Sequence, residues 1–464
     1  MMGRFVLTCL TVLLLSGTGG LIAYQTGDPV PATLIPLDKL GIPDEPVRGV
    51  VFLLSGSTGW GAREAAISAK LLAAGSAVVG IDTPQYLAQI AQTRDSCAYL
   101  IADVERISQQ IQRESGSSSY VAPVVAGIGL GGGLALDMVD QTPKVTVGGT
   151  VVVDPVSAVP LGVQLCTPTD YFSTLSGKIY NLPSGPLVDP ISILLSPNVA
   201  SDIRQRMESL KGGSSDVTLL SDVLPTDDAI SAAIMHRVEL AQAMPDSIPI
   251  TELSAAPKYN ALAIILSGDG GWRDIDSTIG KSLQADGIPV IGLDSLRYFW
   301  SRRTPQRTAA DMATLIRKYR DKWSVDNVIL IGYSFGADVL PAVYLELPPG
   351  ERDHIRLVSL LGLSGSADWQ ITVSGWLGSH GNDATPTMPA LNRIPVPVVQ
   401  CIIGVDEEKG VCAALARTGA EMLITEGGHH FGGKYKKVEM AILAAYSKRV
   451  KRSHSGESRT LNAF

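Results

Sequence analysis

Ser334 lies at the centre of Gly332-Tyr333-Ser334-Phe335-Gly336, between the apolar run Val328-Ile329-Leu330-Ile331 and the helix-compatible Ala337-Asp338-Val339-Leu340. A serine with glycines two before and two after, on a strand–turn–helix, is a nucleophile elbow. The glycines remove side chains that would collide, and the hydroxyl projects at the N-terminus of a helix. The Phe335 N–H beside it is placed to stabilise a developing oxyanion. The chain holds 47 glycines, so this pattern would arise by chance roughly 0.3 to 0.4 times and needs partners elsewhere in the sequence.

The partners follow in order. Serine hydrolases built on α/β sheets carry serine, then Asp or Glu, then histidine, on loops at strand ends. The run Val398-Val399-Gln400-Cys401-Ile402-Ile403 ends in Gly404-Val405-Asp406-Glu407-Glu408, and Met422-Leu423-Ile424-Thr425 ends in Glu426-Gly427-Gly428-His429-His430-Phe431. Asp406 is the expected acid, with Glu407 or Glu408 as fallback. Of the two histidines, which spacing alone does not separate, His430 is preferred to His429 as base, because glycine-x-x-His-Phe is a common hydrolase ending. Such a histidine takes the serine proton and returns it to the leaving group, while the carboxylate holds its other ring N–H. A histidine pair also suggests a metal, but adjacent side chains on a loop diverge and no third ligand stands at metal spacing. No metal or other cofactor is expected.

The second oxyanion donor is expected from Ser267-Gly268-Asp269-Gly270-Gly271-Trp272, as the backbone N–H of Gly268 or Asp269. Trp272, with Arg297 and Tyr298 after the next strand, is the candidate lining of a substrate cleft; simple packing of those loops is the alternative.

The elements that position these residues occur twice. Ser55 with Trp60 matches Ser267 with Trp272, and Asp82 with Tyr86 matches Asp294 with Tyr298, at a constant offset of 212 residues. A period that long means duplication of a whole domain. Each copy alternates helices with continuous apolar strands, the pattern of a doubly wound parallel sheet. The expected fold is therefore a tandem of α/β-hydrolase-like domains over 27–245 and 246–450, divided near Met244–Pro249, with a basic tail beyond. The first copy is degenerate. Gly129 stands at the nucleophile position, Ser196-Pro197-Asn198 opposite the acid loop, and Val223-Leu224-Pro225-Thr226 opposite the histidines. Gly127-Ile128-Gly129-Leu130-Gly131-Gly132 with Asp154 also fits a dinucleotide fingerprint, but that motif belongs on a first strand, and two strands precede it here.

The 464 residues carry a net charge of −7, which gives no general attraction to nucleic acid. Phe5 to Leu15 followed by Ser16–Gly20 reads as a signal peptide ending near Ala23, hence export to a bacterial periplasm, with an uncleaved anchor as the alternative. Its removal takes Cys9 and leaves Cys97, Cys166, Cys401 and Cys412. In an oxidising compartment, pairing within each half is the simplest scheme, and Cys401–Cys412 would bracket the acid loop; free buried thiols are the alternative, above all for Cys97 and Cys166.

The stretches SGDGGW at 267–272, DSLRYFW at 294–300, GYSFGADVLP at 332–341 and GGHHF at 427–431 resemble the bacterial virulence protein VirJ family, and the two-domain arrangement is similar to its longer members. The resemblance implies a periplasmic hydrolase of aminoacylated phosphatidylglycerol, chiefly the lysyl form, acting at the membrane surface. It also implies a link to virulence and type IV secretion, with secretion substrates as further partners. It carries Ser334 over as nucleophile and a GGHHF histidine as base, while Asp406 rests on chain order. Two classes follow: a lipid esterase with a silent partner domain, or a cargo-binding protein with a vestigial elbow. The intact order of triad residues in one copy, beside its loss in the other, favours the first.

Overall fold

The apolar runs become two sheets of seven strands in the computed structural model. It describes residues 34–461 apart from 45, 94–96, 140, 142–145, 167–169, 182–188, 222–223, 243–247, 373–382 and 408–409. The expected signal segment, most of the Met244–Pro249 boundary, Val223 and Glu408 lie outside the described residues. The first sheet holds β1 (Leu40–Gly41), β2 (Gly49–Leu54), β3 (Ser76–Ile81), β4 (Val124–Ile128), β5 (Gly149–Val153), β6 (Ile191–Leu195) and β7 (Val217–Ser221). The second holds β8 (Ile250–Leu253), β9 (Ala261–Leu266), β10 (Val290–Leu293), β11 (Asn327–Tyr333), β12 (Ile355–Leu361), β13 (Val399–Gly404) and β14 (Glu421–Thr425).

Both sheets have the same order, β1-β3-β2-β4-β5-β6-β7 and β8-β10-β9-β11-β12-β13-β14. Only the leading edge strand of each is antiparallel to its neighbour. The fold class is α/β in tandem, as the sequence implies. Along β9, Leu262, Ile264 and Leu266 enter one core while Ala261, Ala263 and Ile265 enter the core on the opposite face. A strand covered on both faces has no polar side to show, which is why its sequence is apolar throughout.

The duplication extends to backbone conformation. Gly59 and Gly271 have φ of +82° and +85°, and Gly129 and Ser334 have +53° and +50°. A Cβ added to Gly80 would meet the Trp60 ring at 2.5 Å, and one added to Gly292 would meet Trp272 at 2.3 Å. Each half also has its own disulfide, Cys97–Cys166 and Cys401–Cys412, with Cα atoms 5.1 and 5.8 Å apart. The last helix, Tyr435–Leu461, runs on into the basic tail. Leu34–Phe464 form a single unit.

The order of each sheet reverses at its second strand, so β9 and β11 lie side by side while their following segments leave in opposite directions. Leu266 is in register with Gly332. Their carboxyl ends form the crevice where doubly wound sheets bind ligands.

The glycines of the first half are required by this packing. A Cβ on Gly131 would stand 2.5 Å from the carbonyl oxygens of Leu54 and Ser55, and one on Gly336 would stand 2.2 Å from that of Leu266. The Asp154 carboxylate accepts the Ser196 N–H at 2.8 Å. Around Gly129 an added Cβ meets nothing within 4 Å. Gly131→Ala should therefore cost roughly 3 kcal/mol, because backbone atoms cannot move aside. Gly129→Ala should cost only about 1 kcal/mol, for its positive φ. Denaturant midpoints of the two variants test this, and the reverse order would contradict it.

Candidate active site

Ser334 directly follows β11 and caps the helix Phe335–Glu346, with φ +50° and ψ −119°. A non-glycine residue holds such a conformation only where its surroundings fix it. The Ser334 N–H donates to the Leu361 carbonyl at 2.8 Å, and its own carbonyl accepts from the N–H groups of Ala337 and Asp338. Gly332 and Gly336 let the helix approach the strand, since a Cβ on Gly332 would lie 2.5 Å from the Gly336 oxygen. The side chain is half-buried.

His429 reaches the same edge from the loop after β14. Gly362, at φ +63° after β12, leaves the space its imidazole fills, since a Cβ there would stand 2.7 Å from Cε1 and 2.9 Å from Nδ1. The Tyr333 ring lies 5.2 Å from the imidazole, and the Tyr333 hydroxyl donates to the His429 carbonyl at 3.4 Å. Nδ1 bonds Glu407 Oε1 at 2.6 Å, and Glu407 Oε2 accepts the Gly404 N–H at 2.6 Å. With Nδ1 so held, Nε2 is the nitrogen left to exchange protons.

The charges follow from this contact. Burial pushes the Glu407 carboxyl up, but the hydrogen bonds from His429 and Gly404 outweigh it and leave its pKa lowered. The pKa of His429 is raised, first by its hydrogen bond to Glu407 and against burial, with the charges of Glu407, Asp338 and Asp269 adding. Asp269 is raised by burial, opposed by Arg273, by the N–H groups of Asp269 and Gly270, and by His429.

The structure thus joins the fallback acid to the less favoured histidine. Asp406 is exposed and bonded to neither histidine among the described residues; its N–H donates to the Gly427 carbonyl. Beyond Gly404 the chain makes a tight turn, with the Glu407 N–H returning to the Gly404 carbonyl at 3.2 Å. That turn brings the residue three after the strand end, not two, back over the sheet. His430 is exposed at the start of the short turn Phe431–Gly433, its ring 6.1 Å from that of His429.

Of the expected oxyanion donors, Gly268 lies against the nucleophile, an added Cβ standing 3.7 Å from Ser334 Cβ. Its N–H faces Asp276 Oδ2 at 3.4 Å, and the Asp269 N–H faces its own carboxylate. The Phe335 N–H, at the first turn of its helix, has no backbone acceptor among the described residues.

The expected cleft residues are packed inside. Trp272 is 3% exposed, and Tyr298 is 2% exposed with its hydroxyl on Asp311 at 2.6 Å. The Arg297 side chain lies by Asp294, with Nε 3.8 Å from Oδ2. These residues support the loops. Sequence reading missed Gly362 and Tyr333, for which the available signal was a glycine directly after an apolar strand and an aromatic residue directly before the serine.

Residues 260–450 match the family model described as bacterial virulence protein (VirJ). No curated protein matches the chain. Among solved structures, the chain is similar to Est1E from Butyrivibrio proteoclasticus at 14% identity and a TM-score of 0.31, over 45% of this chain and 97% of that one. A lipase-esterase related protein from Clostridium acetobutylicum matches at 18% identity and a TM-score of 0.31, over 42% and 98%. MenH from S. aureus matches at 14% identity and a TM-score of 0.33, over 43% and 98%.

The raised pKa of His429 means that its share of the pair's stabilisation is present below the ordinary histidine pKa and lost as pH rises through the raised value. The lowered pKa of Glu407 means that its share is present above the ordinary carboxylate pKa and lost as pH falls through the lowered value. The pair is complete between the two ordinary ranges. Glu407→Gln should therefore lower the pKa of His429, and Asp406→Asn should leave it almost unmoved. NMR titration of the imidazole distinguishes the two, and the opposite pattern would return the acid to Asp406.

Proposed function

We propose that the second half is a serine carboxylic-ester hydrolase and that its substrate is the aminoacyl ester of phosphatidylglycerol, the lysyl form first. The observation that carries the hydrolase reading is the Glu407–His429 bond beside the Ser334 elbow, in a chain whose other half holds Gly129 and Asp154 where the second has Ser334 and Gly362. One elbow is equipped and the other is bare.

In this mechanism Ser334 Oγ attacks the ester carbonyl as His429 Nε2 takes its proton. Glu407 holds Nδ1 and stabilises the imidazolium. The Phe335 N–H, at the start of its helix, is the donor to the oxyanion. Collapse breaks the acyl–oxygen bond, and His429 protonates the departing glycerol hydroxyl of phosphatidylglycerol. Water, deprotonated by His429, then cleaves the aminoacyl-serine and releases the amino acid.

The choice of substrate is supported by the VirJ match and by the charge around the base. Asp269 and Asp338 both act electrostatically on His429, and carboxylates near the reacting ester would favour a cationic acyl group. Two disulfides suit an exported protein, and among the described residues no helix is long and apolar enough to cross a membrane. A periplasmic site would give access to leaflet lipids.

Ser334→Ala should lower kcat on the order of a million-fold, as for a triad acting as a unit, with the fold intact. Wild-type protein should release lysine from lysyl-phosphatidylglycerol, followed by mass spectrometry, and leave unmodified phosphatidylglycerol untouched. Fatty acid release would make it a phospholipase. No turnover and no labelling by a fluorophosphonate would replace the hydrolase with a binding protein for secretion cargo.

A further inference from the structure

The first half touches the second at the loops that build the site. Glu105, on the helix Leu100–Glu114, pairs with Arg273, and its carboxylate side chain is only 5% exposed. Arg273 follows Trp272 directly and caps the helix Asp274–Ala285. Its guanidinium lies over Gly270, where an added Cβ would come within 2.5 Å of Nη2. The same guanidinium opposes the rise in the Asp269 pKa. One cation therefore connects a buried carboxylate of the first half to the loop beside the nucleophile.

Further contacts from the first half fall on neighbouring loops of that edge. Trp300 Nε1 donates to the Ser117 carbonyl at 2.9 Å, and Ser301 Oγ donates to that of Ser118 at 2.6 Å. The Arg113 guanidinium stacks 3.6 Å from the Trp300 ring and donates to the Ile371 carbonyl. Tyr120 lies 5.2 Å from Trp300 and borders a narrow crevice with Gly270, Gly271 and Trp272. The loops after β9, β10 and β12 are thus all held by the bare half. The repeat does not dictate the ion pair, because Gly61 stands in the first half where the second has Arg273.

We infer that the first half is the fixed wall of the second half's site, with Glu105 a positioning residue that acts through Arg273 to hold the loop 268–273 against Ser334. A buried carboxylate that loses this partner, or the cation that loses this carboxylate, is held less firmly in place, because the pair offsets part of the desolvation of both groups. The loop would then be released on one side only, since Trp272 stays packed on Gly292 and Gly280. The kinetic part of the inference rests on the hydrolase reading above; the structural part does not.

The test uses the full chain carrying Glu105→Gln, with Glu105→Asp beside it and Glu252→Gln as a remote ion-pair control. Hydrogen–deuterium exchange of the 268–273 amides should quicken roughly tenfold in Glu105→Gln, less in Glu105→Asp, and not in the control, while β11 stays as in wild type. Ester turnover should fall roughly tenfold to a hundredfold in kcat at nearly constant KM, and Glu105→Asp should recover most of it. Unchanged loop exchange overturns the inference whatever the activity does. Faster exchange with full kcat overturns the link between loop and reaction, and faster exchange throughout β11 in both variants shows that the pair holds the whole fold and overturns it too. If wild-type protein neither turns over ester nor reacts with a fluorophosphonate, the hydrolase reading fails, and the exchange result alone decides whether Glu105 fixes the loop.

Discussion

The close approach of a helix N-terminus to two strands is the constraint on which the site depends. Gly336 sits so near the Leu266 carbonyl that no side chain fits, and the helix it belongs to begins where the chain has turned through a positive φ. Given that packing, residue 334 has one conformation, and its side chain has one direction in which to leave the sheet. The first half keeps the same packing through Gly127 and Gly131 and the same turn at Gly129. The turn is therefore demanded by the fold, and the proposed nucleophile occupies a geometry that the sheet requires in any case.

Around this turn, charge is arranged in layers. Glu407 is fixed by the Gly404 N–H and in turn fixes His429, so the carboxylate is oriented by backbone before it orients the imidazole. Cys412, in the helix Gly410–Arg417, is tied to Cys401 within β13, which closes the segment carrying Glu407 at both ends. Asp269 and Asp338 act on the histidine from other loops.

Most of the architecture was legible in the sequence because buried parallel strands announce themselves as unbroken apolar runs and because the repeat supplied each strand twice. The elbow was legible from its glycines. Which carboxylate meets which imidazole was not, since Asp406 and Glu407, like His430 and His429, differ by one position, and only the turns after β13 and β14 bring Glu407 and His429 together. The aromatic residues Trp272 and Tyr298 read as a cleft lining because sequence cannot tell a wall from a core when both follow a strand. Glu105 had no signal at all. On an amphipathic helix it reads as one more solvated charge, whereas in the fold it is buried and paired with Arg273 of the other half.

Joining wall and site in one polypeptide has a consequence for mass action. Two separate domains meeting through one buried ion pair, a tryptophan and a few carbonyl contacts would part on dilution, exposing Glu105 to water and releasing the loop. Tethered, each sees the other at an effective concentration that dilution does not change, on the order of millimolar for a short linker. The duplicated half behaves as a bound subunit with a permanently saturated partner. Its surface, unlike its turn, has something to hold.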